Sequence, residues 1–148
     1  MSLEQQALAT FQLILAGFLS MVIGLDRERR QRPAGLRTHM LVGLGACLFT
    51  LLSMYAFLDT DPARIAANIV VGIGFLGAGT IIQRKSNVKD LTTAASIWTT
   101  AAVGMAVGAG AWLLATAAAV IVWIVLAVIR RFEPEKQEPA RNIPTREH

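Results

Sequence analysis

The chain has 148 residues, of which 54% are hydrophobic and 16% charged, with a mean hydropathy of +0.51 and a formal net charge of +4. Soluble domains carry about 25% charged residues, so this balance excludes an ordinary water-soluble domain and points to a membrane protein. A single cysteine, Cys47, excludes an intramolecular disulfide or a paired-cysteine metal site.

Near the start, Glu4 stands where a cleavable signal would carry a basic region, and no small-residue cleavage site follows. Residues 7–25 are therefore expected to stay as a membrane anchor. They contain no Asp, Glu, Lys or Arg, and the same holds for residues 40–58, 65–82 and 91–129. A helix needs roughly 20 residues to cross a hydrocarbon core of about 30 Å, so the last run is long enough for two passes. "VGAGA" at 107–111 supplies two glycines for the turn between them. The fold class is all-α, a polytopic membrane domain over residues 1–129 with five transmembrane helices. A single long final helix would give four. Residues 130–148, polar, Pro-bearing and of mixed charge, predict a disordered cytoplasmic tail.

In a five-helix arrangement every Lys and Arg except Arg64 falls on one side. The first connection holds Arg27, Arg29, Arg30, Arg32 and Arg37. The third holds Arg84, Lys85 and Lys89, and the tail holds Arg130, Arg131, Lys136, Arg141 and Arg146. The positive-inside rule puts that side in the cytoplasm, with the N-terminus outside and the C-terminus inside. Four helices would place the basic tail on the opposite side. These charges sit where topology demands them and imply contact with anionic membrane lipid, and no basic domain is present to hold nucleic acid.

In the first connection, "GLDRERRQRPAGLRTHM", Asp26 precedes Arg29 and Arg30 by three and four residues, so a continuing helix would pair them. Pro33 and Gly35 then break the helix, and Arg37, Thr38 and His39 lead into the second. Asp26 and Arg37 flank this tight hairpin, and a partly desolvated pair between them would be a functional candidate. His39 reads as an interfacial polar residue.

Gly72, Gly74 and Gly77 in "VVGIGFLGAGTI" match the G-x-G-x-x-G spacing of a dinucleotide loop. That loop needs a preceding strand and a following amphipathic helix in water, and here the glycines lie inside an apolar run. Packing is the better reading. At about 100° per residue, Gly72 and Gly79 share one side, with Gly74, Gly77 and Ala78 opposite. Small residues on two faces suit a central helix of the bundle.

Farther on, Thr93, Ser96, Thr100, Gly104 and Gly108 form a small, hydroxylated stripe that reads as a helix–helix seam. Asp90 is placed as an N-cap ahead of it.

Three stretches carry a family likeness: "RQRPAGLRTHMLVGLGA", "RIAANIVVGIGFLGAGTII" and "NVKDLTTAASIWTTAAVGMAVGAG". In matching order they resemble the signature blocks of the MgtC/SapB family of bacterial inner-membrane proteins, over roughly residues 7–129. By that resemblance Asp26 matches an acidic position after the first helix, and "AGLRT" matches residues 34–38. "GIGFLGAG" matches residues 72–79 and "LTTAASIW" matches residues 91–98, with Thr92 where some relatives have Asn and Asp90 where Gly is common. The resemblance implies a non-enzymatic membrane protein linked to growth under magnesium limitation, acting by restraining the F-type ATP synthase. The virulence-type members carry a soluble C-terminal domain beyond this point. The chain stops about nineteen residues after Ile129, so a general membrane role is expected in place of the pathogen-specific one.

The expected function is regulation of another membrane complex through helix–helix contact, by a protein that is itself a homo-oligomer, taken as a dimer, and needs no cofactor or bound metal. Asp26, Arg37, Thr38, Asp90 and Thr92 are the functional candidates. Gly72, Gly74, Gly77, Gly79, Thr93, Ser96 and Thr100 are the packing positions. The alternative is a small cation transporter or channel, for which Asp59 and Asp61 could attract a divalent ion. An enzyme has least support, because neither His39 nor His148 stands in a motif with a nucleophile.

Overall fold

A computed structural model describes residues 1–56, 61–84 and 87–128. Among them, five helices are joined by short connections. Helix α1 (Leu3–Arg29) begins with a capping box: Ser2 Oγ accepts from the Gln5 amide at 3.2 Å while Gln5 Oε1 accepts from the Ser2 amide at 2.8 Å. It runs on through the charged residues, and Arg30 Nε closes on Asp26 Oδ1 at 2.8 Å. Gln31, in the left-handed region at φ 52°, ends it.

Helix α2 (Leu36–Tyr55) starts at Gly35 without a cap from that residue. Glu28 supplies one instead, its Oε2 accepting from the Leu36 amide at 2.9 Å. Helix α3 (Pro62–Thr80) opens with Pro at its first position and Asp61 Oδ1 accepting from the Ala63 amide at 2.9 Å. A short antiparallel hairpin of β1 (Ile82–Arg84) and β2 (Asn87–Lys89) pairs Ile82 with Lys89 and Arg84 with Asn87. Helix α4 (Leu91–Gly108) ends in a Schellman turn: the Gly110 amide donates to Val107 O and the Ala111 amide to Ala106 O, with Gly110 at φ +81°. Helix α5 (Trp112–Ala127) then folds back.

The final apolar run is therefore two helices, because Gly110 turns the chain where a side chain would be strained. Helices α1 to α4 are long and apolar enough to span a membrane, and α5, at 16 residues, is shorter. Among the described residues the outer surface is rich in exposed Leu, Ile, Val and Phe, as a protein surrounded by lipid tails requires.

The centre of the bundle belongs to α4, which packs against α1, α2, α3 and α5. This corrects the central place expected for the glycine-rich α3. The reason is backbone proximity. A Cβ on Gly104 would overlap the Gly43 carbonyl, and one on Gly108 would sit 2.8 Å from the Cys47 carbonyl. A Cβ on Gly43 would overlap Ser20 Oγ. Helices α1, α2 and α4 thus meet at van der Waals contact, and only glycine permits it. Ala16, Leu19, Ile23, Cys47, Leu51, Val103 and Val107 fill the core beside this crossing.

Candidate functional site

At the end of the bundle where α1 stops and α2 and α4 begin, polar side chains lie inside it. Position 27 follows Gln12, Ala16, Ser20, Ile23 and Gly24 on one face of α1, all buried. That face carries the Arg27 side chain inward, leaving the residue 4% exposed. Its Nη2 donates to Thr93 Oγ1 of α4 at 2.6 Å. From α2, His39 reaches the same place and is fully buried. Gly24 on α1 makes room for it, since a Cβ there would press on Leu36 and His39.

The imidazole joins α2 to α4. Its Nδ1 lies 2.8 Å from the Gly35 carbonyl and its Nε2 lies 3.1 Å from Ser96 Oγ. A carbonyl only accepts, so Nδ1 carries the hydrogen. Ser96 Oγ also lies 2.8 Å from the Thr93 carbonyl. The one hydroxyl hydrogen goes either to that carbonyl or to Nε2, so Ser96 links the ring to the α4 backbone. Thr100 Oγ1 donates to the Ser96 carbonyl at 2.7 Å one turn farther along. Toward the other end of the bundle, Gln12 Nε2 donates to the Val107 carbonyl at 2.8 Å. Between these two polar ends stands the glycine crossing of Ser20, Gly43 and Gly104. The polar groups form a clamp on three helices, interrupted in the middle by close-packed backbone.

Of the residues singled out from sequence, Thr93, Ser96 and Thr100 are in this cluster and buried. Asp26 lies at its edge and pairs with Arg30, one helical turn away, in place of Arg37. Arg37, Thr38 and Thr92 are exposed. Asp90 occupies the N-cap position of α4, yet its side chain makes no cap bond. Its φ of 66° and ψ of 19° put the backbone in the left-handed region, which removes the extended geometry an N-cap needs. Gly77 meets Ala94 of α4 with a virtual Cβ at 3.5–3.6 Å, whereas Gly72, Gly74 and Gly79 face open space. Asp61 caps α3, and Asp59 lies outside the described residues. So do Lys85 and the tail segment expected to be disordered.

Sequence reasoning missed Arg27, His39, Gln12 and Ser20. His39 is the sharpest of these, being buried inside the protein at the end of the bundle. A signal was present: Gln12, Ser20 and Arg27 recur at spacings of eight and seven on the one face of an apolar helix, where a polar residue needs a partner. Among the described residues, no three His, Cys, Asp or Glu side chains come together as metal ligands would.

Residues 13–134 match the MgtC family. The chain is 45% identical over 128 residues to YhiD of Escherichia coli (strain K12), described as a candidate magnesium transporter, covering 81% of this chain and 60% of that protein. It is 49% identical over 110 residues to MgtC of Salmonella typhimurium (strain LT2), covering 74% of this chain and 47% of that protein. It is 48% identical over 118 residues to MgtC of Brucella abortus (strain 2308), covering 78% of this chain and 50% of that protein. The chain thus spans about half to three-fifths of the length of these relatives. No solved structure matches it. With the family match running from the middle of α1 past the end of α5, this five-helix membrane protein belongs to the MgtC family.

Proposed function

We propose that the protein is a non-enzymatic regulator in the bacterial inner membrane, with its N-terminus outside and its C-terminus in the cytoplasm. It acts on another membrane complex, through helix–helix contact, in adaptation to low magnesium. The closed interior carries this reading. A carrier or channel must offer a polar route along the bundle. Here the route is blocked where Gly43 lies against both the Gly104 backbone and the small Ser20 side chain. The buried Arg27 guanidinium also opposes entry of a divalent cation from its end of the bundle. What remains for function is the outer surface, where α3 and α5 present long apolar faces.

The magnesium link rests on the family and on the description of YhiD. The F-type ATP synthase is the complex that the family resemblance nominates. Two measurements test the reading together. Purified protein in liposomes loaded with a magnesium-sensitive dye should give no influx above protein-free vesicles. Native membrane vesicles holding the protein should show reduced ATP-driven proton pumping relative to vesicles without it. Saturable magnesium influx carried by folded protein would replace the regulator with the transporter.

A further inference from the structure

The outward face of α3 has the pattern of a helix-pairing seam. Asn68, Val71, Phe75 and Ala78 follow one another at spacings of three, four and three, the a/d spacing of a heptad. At 100° per residue they fall within an arc of about 80°. This arc lies opposite the side that Ile69, Ile73 and Gly77 turn toward α4. All four residues are exposed, Val71 at 64% and Phe75 at 81%. Gly72 and Gly79 flank the arc on one side and Gly74 on the other, each with open space before it. Asn68 and Gly72, with Gly45 of α2, also border an apolar groove of about 560 Å³ between α2 and α3.

The polar member of the seam identifies its occupant. Asn68 is exposed and its side chain makes no hydrogen bond within the described chain. A carboxamide facing hydrocarbon is costly, and lipid tails offer it neither donor nor acceptor. A carboxamide is both, so it is satisfied by another copy of itself across a two-fold axis. A single Asn at an a position in an apolar seam fixes register and favours pairing in this way. Two copies of one chain insert with the same orientation, so a two-fold along the membrane normal sets equal residue numbers at equal depth. Asn68 then meets Asn68, and each Phe75 packs between the glycine shoulders of the other α3.

We infer that a second copy of this chain docks on the outward face of α3, in a parallel two-fold dimer centred on Asn68 and Phe75. This goes beyond the regulatory reading and does not depend on which complex is regulated. The test uses the full chain in native membranes with Cys47→Ala, which removes the one native thiol. Asn68→Cys should form a disulfide-linked dimer under mild oxidation, while Leu113→Cys on α5, 87% exposed, should not. Native mass spectrometry of the unmodified chain released from nanodiscs should show dimers. Asn68→Leu and Gly72→Leu should each shift the monomer–dimer midpoint by about three- to ten-fold in concentration. Neither position is packed within the chain, so both variants should fold, as judged by helical circular dichroism.

Three outcomes would overturn the inference. One is a monomer that retains a lipid in the groove, and another is stoichiometric capture of a different membrane protein on α3 without self-association. The third is a dimer that cross-links through Leu113→Cys but not through Asn68→Cys. Each leaves proton pumping and magnesium flux to be read separately.

Discussion

Arg27 and Thr93, 66 residues apart, are joined by a 2.6 Å bond from guanidinium to hydroxyl inside the bundle. The bond ties the last turn of α1 to the first turn of α4. A buried hydrogen bond to a charged donor is stronger than a neutral one. Thr93→Val keeps the shape and removes the acceptor, and should cost about 1–3 kcal/mol. Thermal unfolding in detergent, followed by tryptophan fluorescence, should show the lowered midpoint. Thr92→Val, one residue away and exposed, should leave it unchanged.

Glycines in this chain differ sharply in what an added methyl would meet. Gly104→Ala drives a methyl into the Gly43 carbonyl, which is backbone and cannot rotate away. Separation of α2 from α4 should cost about 1–3 kcal/mol and lower the yield of folded protein. Gly45→Ala meets nothing within 4 Å, and its effect should stay within about 1 kcal/mol, on the stabilising side. Comparing the thermal midpoints of the two variants decides it.

Asp90 is a third case. Its side chain caps nothing while its backbone is left-handed, so Asp90→Gly should be neutral or stabilising by up to about 1 kcal/mol. Asp90→Val should be destabilising by at least that much, because a β-branched residue resists positive φ. A true N-cap would differ in the sign of the first variant, with Asp90→Gly losing a few tenths of a kcal/mol. Chemical or thermal denaturation of both variants separates the two.

The proposed orientation can be read with a membrane-impermeant thiol reagent in the Cys47→Ala background. Gln31→Cys, exposed between α1 and α2, should react only after the membrane is opened. Ala109→Cys, exposed in the turn between α4 and α5, should react in intact cells. The reverse pattern would invert the topology.

Much of the molecule could be read from the chain because the relevant signals are local. Runs of apolar residues free of charge mark the spans, whichever helix later lies beside which. The glycine pair near Gly110 marks the fold-back, because a left-handed turn is cheapest without a side chain. The stripe from Thr93 to Gly108 shows its seam through spacing alone. Thr93, Ser96 and Thr100 therefore were visible before the fold was known, whereas Arg27 and His39, counted among boundary residues, were not.

By itself the sequence determined a membrane-embedded, mainly helical chain, and three motif blocks carried its family. The spans follow from hydropathy and length, which need no neighbour to be defined, and the family from the resemblance of those blocks. Only the tertiary structure decided that α4 is central, that α3 turns Gly72, Gly74 and Gly79 outward, and that Arg27 and His39 are interior. In a bilayer, lipid tails and protein core are equally apolar, so hydropathy does not say which face of a helix meets protein. That choice depends on where backbones can approach, and Gly43 against Gly104 allowed such an approach.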